Sequence, residues 1–538
     1  LKQPVLFPMV IKNWAIKFFA IGVILTFCCK LTYAQVIYQP YSYQFYQKLN
    51  DQLYFDNTNL HTAVKPYLIS DANALRTTYD SLMNLGVDSS RKSWLSRKLF
   101  NEHGFDDRNK EFTFYADYLP DLLIGKDLSG KKSTYLNTRG FQVGGTIGTK
   151  FFFYTSAYEN QGTFPEYLTD YIHTTGMVPG QALEFTLGTP DWSYATGLIG
   201  YNPTKSISLV MGVDKTFIGD GYRSLLLSDF SANYPLFRIT FNLGKKVQYM
   251  AMWSLLQDQT ATTFPDQHAP YRKKWAAFHY IDWTISNRAS LGFFNAIIAA
   301  ESDDDGTNHP FDVNFINPIF FSKALAPSTQ IPDHTLFGFN GKYKVLNKTT
   351  LYGQLLFDQQ SAPANTGTEY GYQLGFRGAD LFKVHALNYL VEYNTVKPYT
   401  YSHQYPLVNY TQYNEPLGDP FGADFKEIVG LLNYSIGKFD FQGELNYAKL
   451  GVNYDNVNYG SDILIPAVIT PGTVIGQGTN TSFKYAEGKV AYLINPKYNL
   501  RFELGLVYRD ETSSITSSKT TWVTFGLRST FRDLYTDF

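Results

Sequence analysis

The chain has 538 residues, with 46 Lys and Arg against 47 Asp and Glu, for a net charge of −1. Only 17% of residues are charged and 44% are hydrophobic, which excludes a disordered chain and argues against a nucleic-acid binder. The anomaly is the aromatic load: 42 Phe, 42 Tyr and 7 Trp in a chain whose mean hydropathy is slightly polar.

Taken from the start, Lys12 and Lys17 precede the apolar run Phe18–Cys29, and Thr32-Tyr33-Ala34 offers small residues for cleavage before Gln35. A basic region, a short apolar stretch and a small residue at the cut describe a secretory signal peptide over 1–34. The run is too short for a spanning helix, which needs about 20 apolar residues. Cys28 and Cys29 also admit a lipoprotein reading, against which stands the bulky Phe27 just before them. Cleavage after Ala34 removes both cysteines and Lys2, Lys12, Lys17 and Lys30, so the mature chain has no disulfide or thiolate chemistry.

Residues 35–110 carry helical spacing at Tyr41–Tyr54, Asp71–Leu85 and Ser90–Asn101, for instance Leu75, Tyr79, Leu82 and Leu85. They are expected to form a small periplasmic helical segment. From Glu111 onward the period changes to two. Phe439, Phe441, Leu445 and Tyr447 alternate with Asp440, Gln442, Glu444 and Asn446. Leu500, Phe502, Leu504, Leu506 and Tyr508 alternate with polar and charged residues, as do Val523, Phe525, Leu527 and Phe531. The runs approach the ~9–11 residues of a tilted membrane strand rather than the ~5–6 of a soluble one. In hydrocarbon every backbone group must be paired, so such a sheet must close. The fold class is therefore all-β, an outer-membrane barrel over 111–538.

Tight turns are expected at Gly148-Thr149, Asn202-Pro203, Gly244-Lys245, Asn287-Arg288, Asn347-Lys348, Gly378-Ala379, Gly437-Lys438 and Asn495-Pro496. Longer polar connections fall near 125–133, 159–190, 215–236, 257–272, 301–334, 360–368, 396–426, 451–484 and 510–520. Short periplasmic turns and long outer loops then give about 18 antiparallel strands. Phe538 is read as closing the final strand, and His385 as lying on the Leu387, Tyr389 face of its strand.

Three outer loops stand out. Phe217–Asp229 has Asp220 between two glycines, then Tyr222, Arg223 and three leucines. Such a loop folds into the barrel mouth. It is either a lumen plug with Arg223 satisfied by lumenal acids, or a ligand shelf on which Tyr222 stacks and Asp220, Arg223 or Asp229 hydrogen-bonds. The second loop carries Tyr399, Tyr401, His403, Tyr410, Tyr413 and Glu415. Tyrosine combines a flat apolar face with a hydroxyl, which suits sugar rings and equally suits an interfacial girdle. The third, Glu301, Asp303, Asp305, Gly306 and Asp312, has the spacing of a calcium loop, but lacks flanking helices and contains Pro310. A solvated acidic loop is the preferred reading. The nine histidines are scattered and no H-E-x-x-H, G-x-S-x-G or P-loop occurs, so no enzyme and no cofactor is implied.

The run Phe217–Asp229 with Asn233-Tyr234-Pro235 resembles the signature loop of the Wzi capsule-assembly family of outer-membrane proteins. The Bacteroidetes branch described as gliding-motility protein RemB is closer still. The resemblance extends to Thr138-Arg139-Gly140, Tyr158-Glu159-Asn160-Gln161, Val178-Pro179-Gly180-Gln181, Lys274–His279, Glu392-Tyr393-Asn394, Lys397–His403 and Asp537-Phe538. It implies an 18-stranded barrel with a periplasmic helical bundle. Its implied partners are outer-membrane lipid and surface polysaccharide, or gliding-motility or secretion proteins. Gln412, Asp419 and Lys397 stand where the branch tends to have histidines and an Arg-Pro, which puts roles needing those groups in doubt.

Overall fold

The computed structural model describes residues 36–54, 60–70, 75–109, 111–184, 190–260, 271–317, 333–359, 369–455, 457–469, 472–532 and 534–538. The expected signal peptide, and parts of the loops expected near 257–272, 301–334 and 360–368, lie outside the described residues.

The period-two runs form long strands. The first nine are β1 (Phe112–Asp127), β2 (Lys132–Ile147), β3 (Phe151–Thr163), β4 (Asp191–Thr204), β5 (Ile207–Asp214), β6 (Tyr234–Leu243), β7 (Val247–Asp258), β8 (Arg272–Thr284) and β9 (Ala289–Ala300). They are followed by β10 (Asp333–Leu346), β11 (Thr349–Gln359), β12 (Glu369–Gly378), β13 (Leu387–Val396), β14 (Phe425–Ile436), β15 (Phe439–Val452), β16 (Thr479–Asn495), β17 (Leu500–Thr512) and β18 (Ser517–Ser529). Each pairs antiparallel with the next. β18 pairs with β1 from Trp522 opposite Asp127 to Leu527 opposite Leu122, which closes an 18-stranded barrel.

The sheet is inside-out relative to a soluble protein. Leu445, Leu374 and Ile124 are 68%, 62% and 66% exposed, while Glu444 and Asn446 on the opposite face of β15 are 8% and 3% exposed. An apolar outer band and a polar interior are what a lipid-embedded barrel requires. Exposed Tyr118, Trp283, Tyr343 and Tyr492 add amphipathic rings to that band. Tight turns occupy one end; Gly244 and Gly437 lie there at φ +73° and +56°, a region where a Cβ is unfavourable. The second turn falls at Lys205-Ser206 rather than Asn202-Pro203, because β4 keeps pairing through Thr204 opposite Ile207.

The lumen is filled from three directions. Val36–Tyr38 pairs with Leu68–Ser70, and short helical turns over 43–53 lie between them. Asn50 and Gln47 accept hydrogen bonds from Arg377 and Asn388 at 2.6 Å each, and Lys48 and His61 meet Asp440 and Asp282 at 2.6 Å each. All four partners are inward-facing strand residues. Two further helices, α1 (Leu75–Met83) and α2 (Trp94–Phe100), match the helical spacing, and Phe105–Arg108 then pairs along the start of β1.

The C-terminus departs from the alternation. β18 ends at Ser529, and Phe531 packs edge-on against Phe45 at 5.4 Å inside the barrel instead of facing outward. Phe538 does not close the last strand; it packs against Phe230 and Tyr171 in the lumen. His385 precedes β13, with its side chain 87% exposed beside Asp380, and is not on the strand face.

Candidate functional site

The loop between β5 and β6 turns inward. Phe217-Ile218 pairs with Val64-Lys65 of the N-terminal segment, and Leu225, Leu226 and Leu227 are all fully buried. Asp220 is fully buried and accepts hydrogen bonds from Tyr54 at 3.1 Å, Asn340 at 2.9 Å and Thr62, with Lys342 Nζ at 3.7 Å. Burial opposes its charge, but Lys342 and Lys65 hold the carboxyl well below the usual carboxylate range. Arg223 donates to Glu427 at 3.0 Å and to both a carboxylate and the carbonyl oxygen of Asp537 at 2.9 Å. Its lumenal acids are thus one strand carboxylate and the C-terminal tail. Tyr222 donates through its backbone N–H to Glu392 at 2.9 Å and through its hydroxyl to Asp537 at 2.8 Å.

The loop between β13 and β14 fastens onto the leucines. Tyr401 and Tyr410 stack at 5.6 Å and are fully buried. Their hydroxyls donate to the carbonyls of Leu225 at 2.7 Å and Leu226 at 2.5 Å. Tyr399 donates to the Asn458 carbonyl at 2.8 Å. Tyr399, Tyr401 and Tyr413 all adopt left-handed backbone, at φ +65°, +72° and +52°. A non-glycine residue there costs about 1–3 kcal/mol unless surrounding contacts over-determine it, and for Tyr399 and Tyr401 the hydroxyl bonds are part of those contacts. His403 accepts from the Tyr405 N–H at 3.1 Å; burial and the neighbouring His334 push its imidazole down to about 3, so it is neutral.

Glu415 is the knot among the loops. It is fully buried and accepts from the backbone N–H groups of Gly180 at 2.7 Å and Ala232 at 2.9 Å, and from the Tyr171 hydroxyl at 3.3 Å. Those donors belong to the connections 164–190 and 215–233, so one carboxylate fastens three loops. Burial pushes it up to about 7. Lys215 crosses the same junction, donating to the carbonyls of Gly180 and Asp229. Sequence reasoning named neither Glu415 nor Lys215 as a site residue, because nothing local distinguishes a stapling carboxylate from a solvated one.

The predicted site residues therefore separate. Asp220, Arg223, Tyr401 and Tyr410 have polar atoms committed to internal partners. Tyr222 and Asp229 border a small cavity walled also by Tyr43, Glu444, Lys489 and Tyr535. At the loop end, partly exposed Tyr413 meets Tyr271 edge-on at 5.8 Å. Nearby, Tyr405 and Arg272 both donate to Asp304, at 2.6 and 2.5 Å. The acids of the calcium-like loop do not converge: Asp303 takes His309 at 2.8 Å, Asp305 caps Thr307 N–H, and Asp312 caps Asn314 N–H. Among the described residues the one grouping with metal-ligand proximity is Asp51, Asp380 and His385, and there Lys348 is bonded to Asp380.

No protein-family model matches this chain, and neither does any curated protein sequence. Among solved structures the chain is similar to Wzi, described as an outer membrane protein involved in group 1 capsule assembly in Escherichia coli and as a carbohydrate binding β-barrel. Identity is 13% and the TM-score 0.55, over 93% of this chain and 100% of that one. Pseudomonas aeruginosa OprD is matched at 11% identity and a TM-score of 0.43, over 77% of this chain and 94% of that one. The likeness to Wzi is one of fold, and with the closed inside-out barrel it assigns the chain to the bacterial outer membrane.

Proposed function

We propose that this chain is a non-enzymatic outer-membrane barrel whose loop end binds and organises surface polysaccharide. The observation that carries the reading is the filled lumen under a fastened loop cap. Three connections are tied together by Glu415, Tyr401 and Tyr410, while Tyr413, Tyr271 and Tyr405 remain at the outer rim. A rigid cap bearing partly exposed tyrosines and a charged Arg272–Asp304 pair offers apolar faces and polar edges together, as sugar rings require. The similar fold of Wzi, itself described as carbohydrate binding, supports the same reading.

The test is glycan retention. Cells lacking the protein should release surface polysaccharide on washing, and unchanged retention would overturn the proposal. Live-cell crosslinking that recovers motility or secretion proteins through the loops would instead favour a structural part in a gliding or adhesion apparatus. Steady conductance in a planar bilayer would favour a diffusion pore.

A further inference from the structure

Helix α2 sits at the turn end of the barrel and is held there by its backbone. Asn495 donates to the carbonyls of Lys98 and Glu102 at 2.9 Å each, and Tyr498 donates to Lys98 at 3.2 Å. Phe100 packs inward against the cluster of Leu119, Tyr158 and Ile494. At 100° per residue Trp94, Leu95 and Leu99 spread over about 140° on the side of α2 away from Phe100, with Lys98 between Trp94 and Leu95. These are 66%, 67% and 39% exposed, and no residue of the helix is buried. Arg91, Lys92, Arg97 and Lys98 surround them, against Asp88 and Glu102.

A tryptophan and two leucines left in water on so short a helix need an occupant. Two observations choose it. The chain leaving α2 enters the lipid-facing wall: Phe105, 56% exposed, pairs beside β1 and meets Phe114 edge-on at 5.7 Å, and Phe112 is exposed next to it. The patch is thus continuous along the chain with the hydrocarbon band. Its surrounding charge is basic in excess, and a basic helix with Trp and Leu on one face is the composition that lies in a headgroup layer.

We propose that this face of α2 rests on the phospholipid surface at the turn end of the barrel and anchors the N-terminal segment to it. The occupant is the bilayer itself, in its anionic headgroup region, rather than a protein. The residues after Ala34 contain no cysteine, so a spin label can be placed cleanly in the full chain once Cys28 and Cys29 are serine. Labels at Leu95→Cys, at Leu445→Cys in the outer apolar band and at Ile515→Cys at an exposed loop tip are compared by collision with oxygen and with a water-soluble nickel chelate. The protein is reconstituted in vesicles of phosphatidylethanolamine and phosphatidylglycerol, and heat-modifiable migration confirms that each variant is folded.

Label 95 is expected to favour oxygen over the nickel chelate, as label 445 does, by roughly threefold or more relative to label 515. Nickel access at 95 equal to that at 515 would overturn the proposal. So would protection that is missing in these vesicles and present only in whole outer membranes, since that result means a protein covers the face. Neither outcome depends on whether the loop end binds polysaccharide.

Discussion

Replacing Glu415 with alanine unfastens the loop cap while leaving the barrel wall intact. The substitution strands two N–H groups, those of Gly180 and Ala232, which donate to this carboxylate's two oxygens at 2.7 and 2.9 Å. At about 1–3 kcal/mol per unsatisfied buried donor the cap loses about 2–6 kcal/mol, which at tenfold per 1.4 kcal/mol is roughly 30- to 10⁴-fold in local opening. Amide hydrogen exchange of peptides covering Gly180 and Ala232 reads that opening directly, with peptides from β15 and β16 as internal controls. Exchange at both amides within about threefold of the parent would refute the argument, since the carboxylate would then not be what holds the loops. The sign with pH follows from burial. The folded carboxyl titrates near 7, above its ordinary 4.5, so between those values the folded cap binds the proton more tightly than the open one. Cap stability therefore falls as pH rises through that window and levels off above it, and Glu415→Gln removes the slope.

Three further outcomes follow. Arg223→Ala leaves Glu427 and Asp537 without their shared cation and should cost about 3–5 kcal/mol, freeing the C-terminal tail to carboxypeptidase digestion; an undigested tail would contradict it. Tyr401→Phe and Tyr410→Phe each remove one hydroxyl-to-carbonyl bond, worth about 0.5–1.5 kcal/mol, and should raise proteolytic cleavage within 215–233 without changing heat-modifiable migration. In planar bilayers the filled barrel should pass no steady current, whereas a chain lacking residues 36–70 should conduct, because Lys48, Asn50 and His61 lie in the interior beside Asp440, Arg377 and Asp282.

What could be read from the sequence was whatever repeats locally. The outward and inward faces of β15 and β17, the strand count and most turns follow from side-chain period two and the placement of glycine and asparagine. Pro120, awkward for a central strand, lies inside β1 opposite Arg139. The interior was not legible in the same way. Phe531 continues the alternation of β18 in sequence yet belongs to the plug, because period two cannot tell a lipid-facing ring from one turned into the lumen. Tyr54 to Asp220, and Arg223 to Asp537, are contacts across 166 and 314 residues, and no local pattern records them. The inward loop was legible from its three leucines. The tyrosines of the neighbouring loop were legible as important, but they divide between those that hold the leucine loop and those left at the rim. Only hydroxyl geometry separates the two groups.

The central claim, that the capped loop end holds polysaccharide, is tested most directly by equilibrium binding. Polysaccharide purified from the same cells is offered to the full chain in lipid nanodiscs, alongside the Tyr413→Ala, Tyr271→Ala double variant, which alters the rim while the Glu415 and Tyr401 fastenings remain. The account predicts saturable binding by the parent and a loss of roughly tenfold or more, about 1.4 kcal/mol, in the variant. No binding by the folded parent chain, or equal affinity in both, would contradict it.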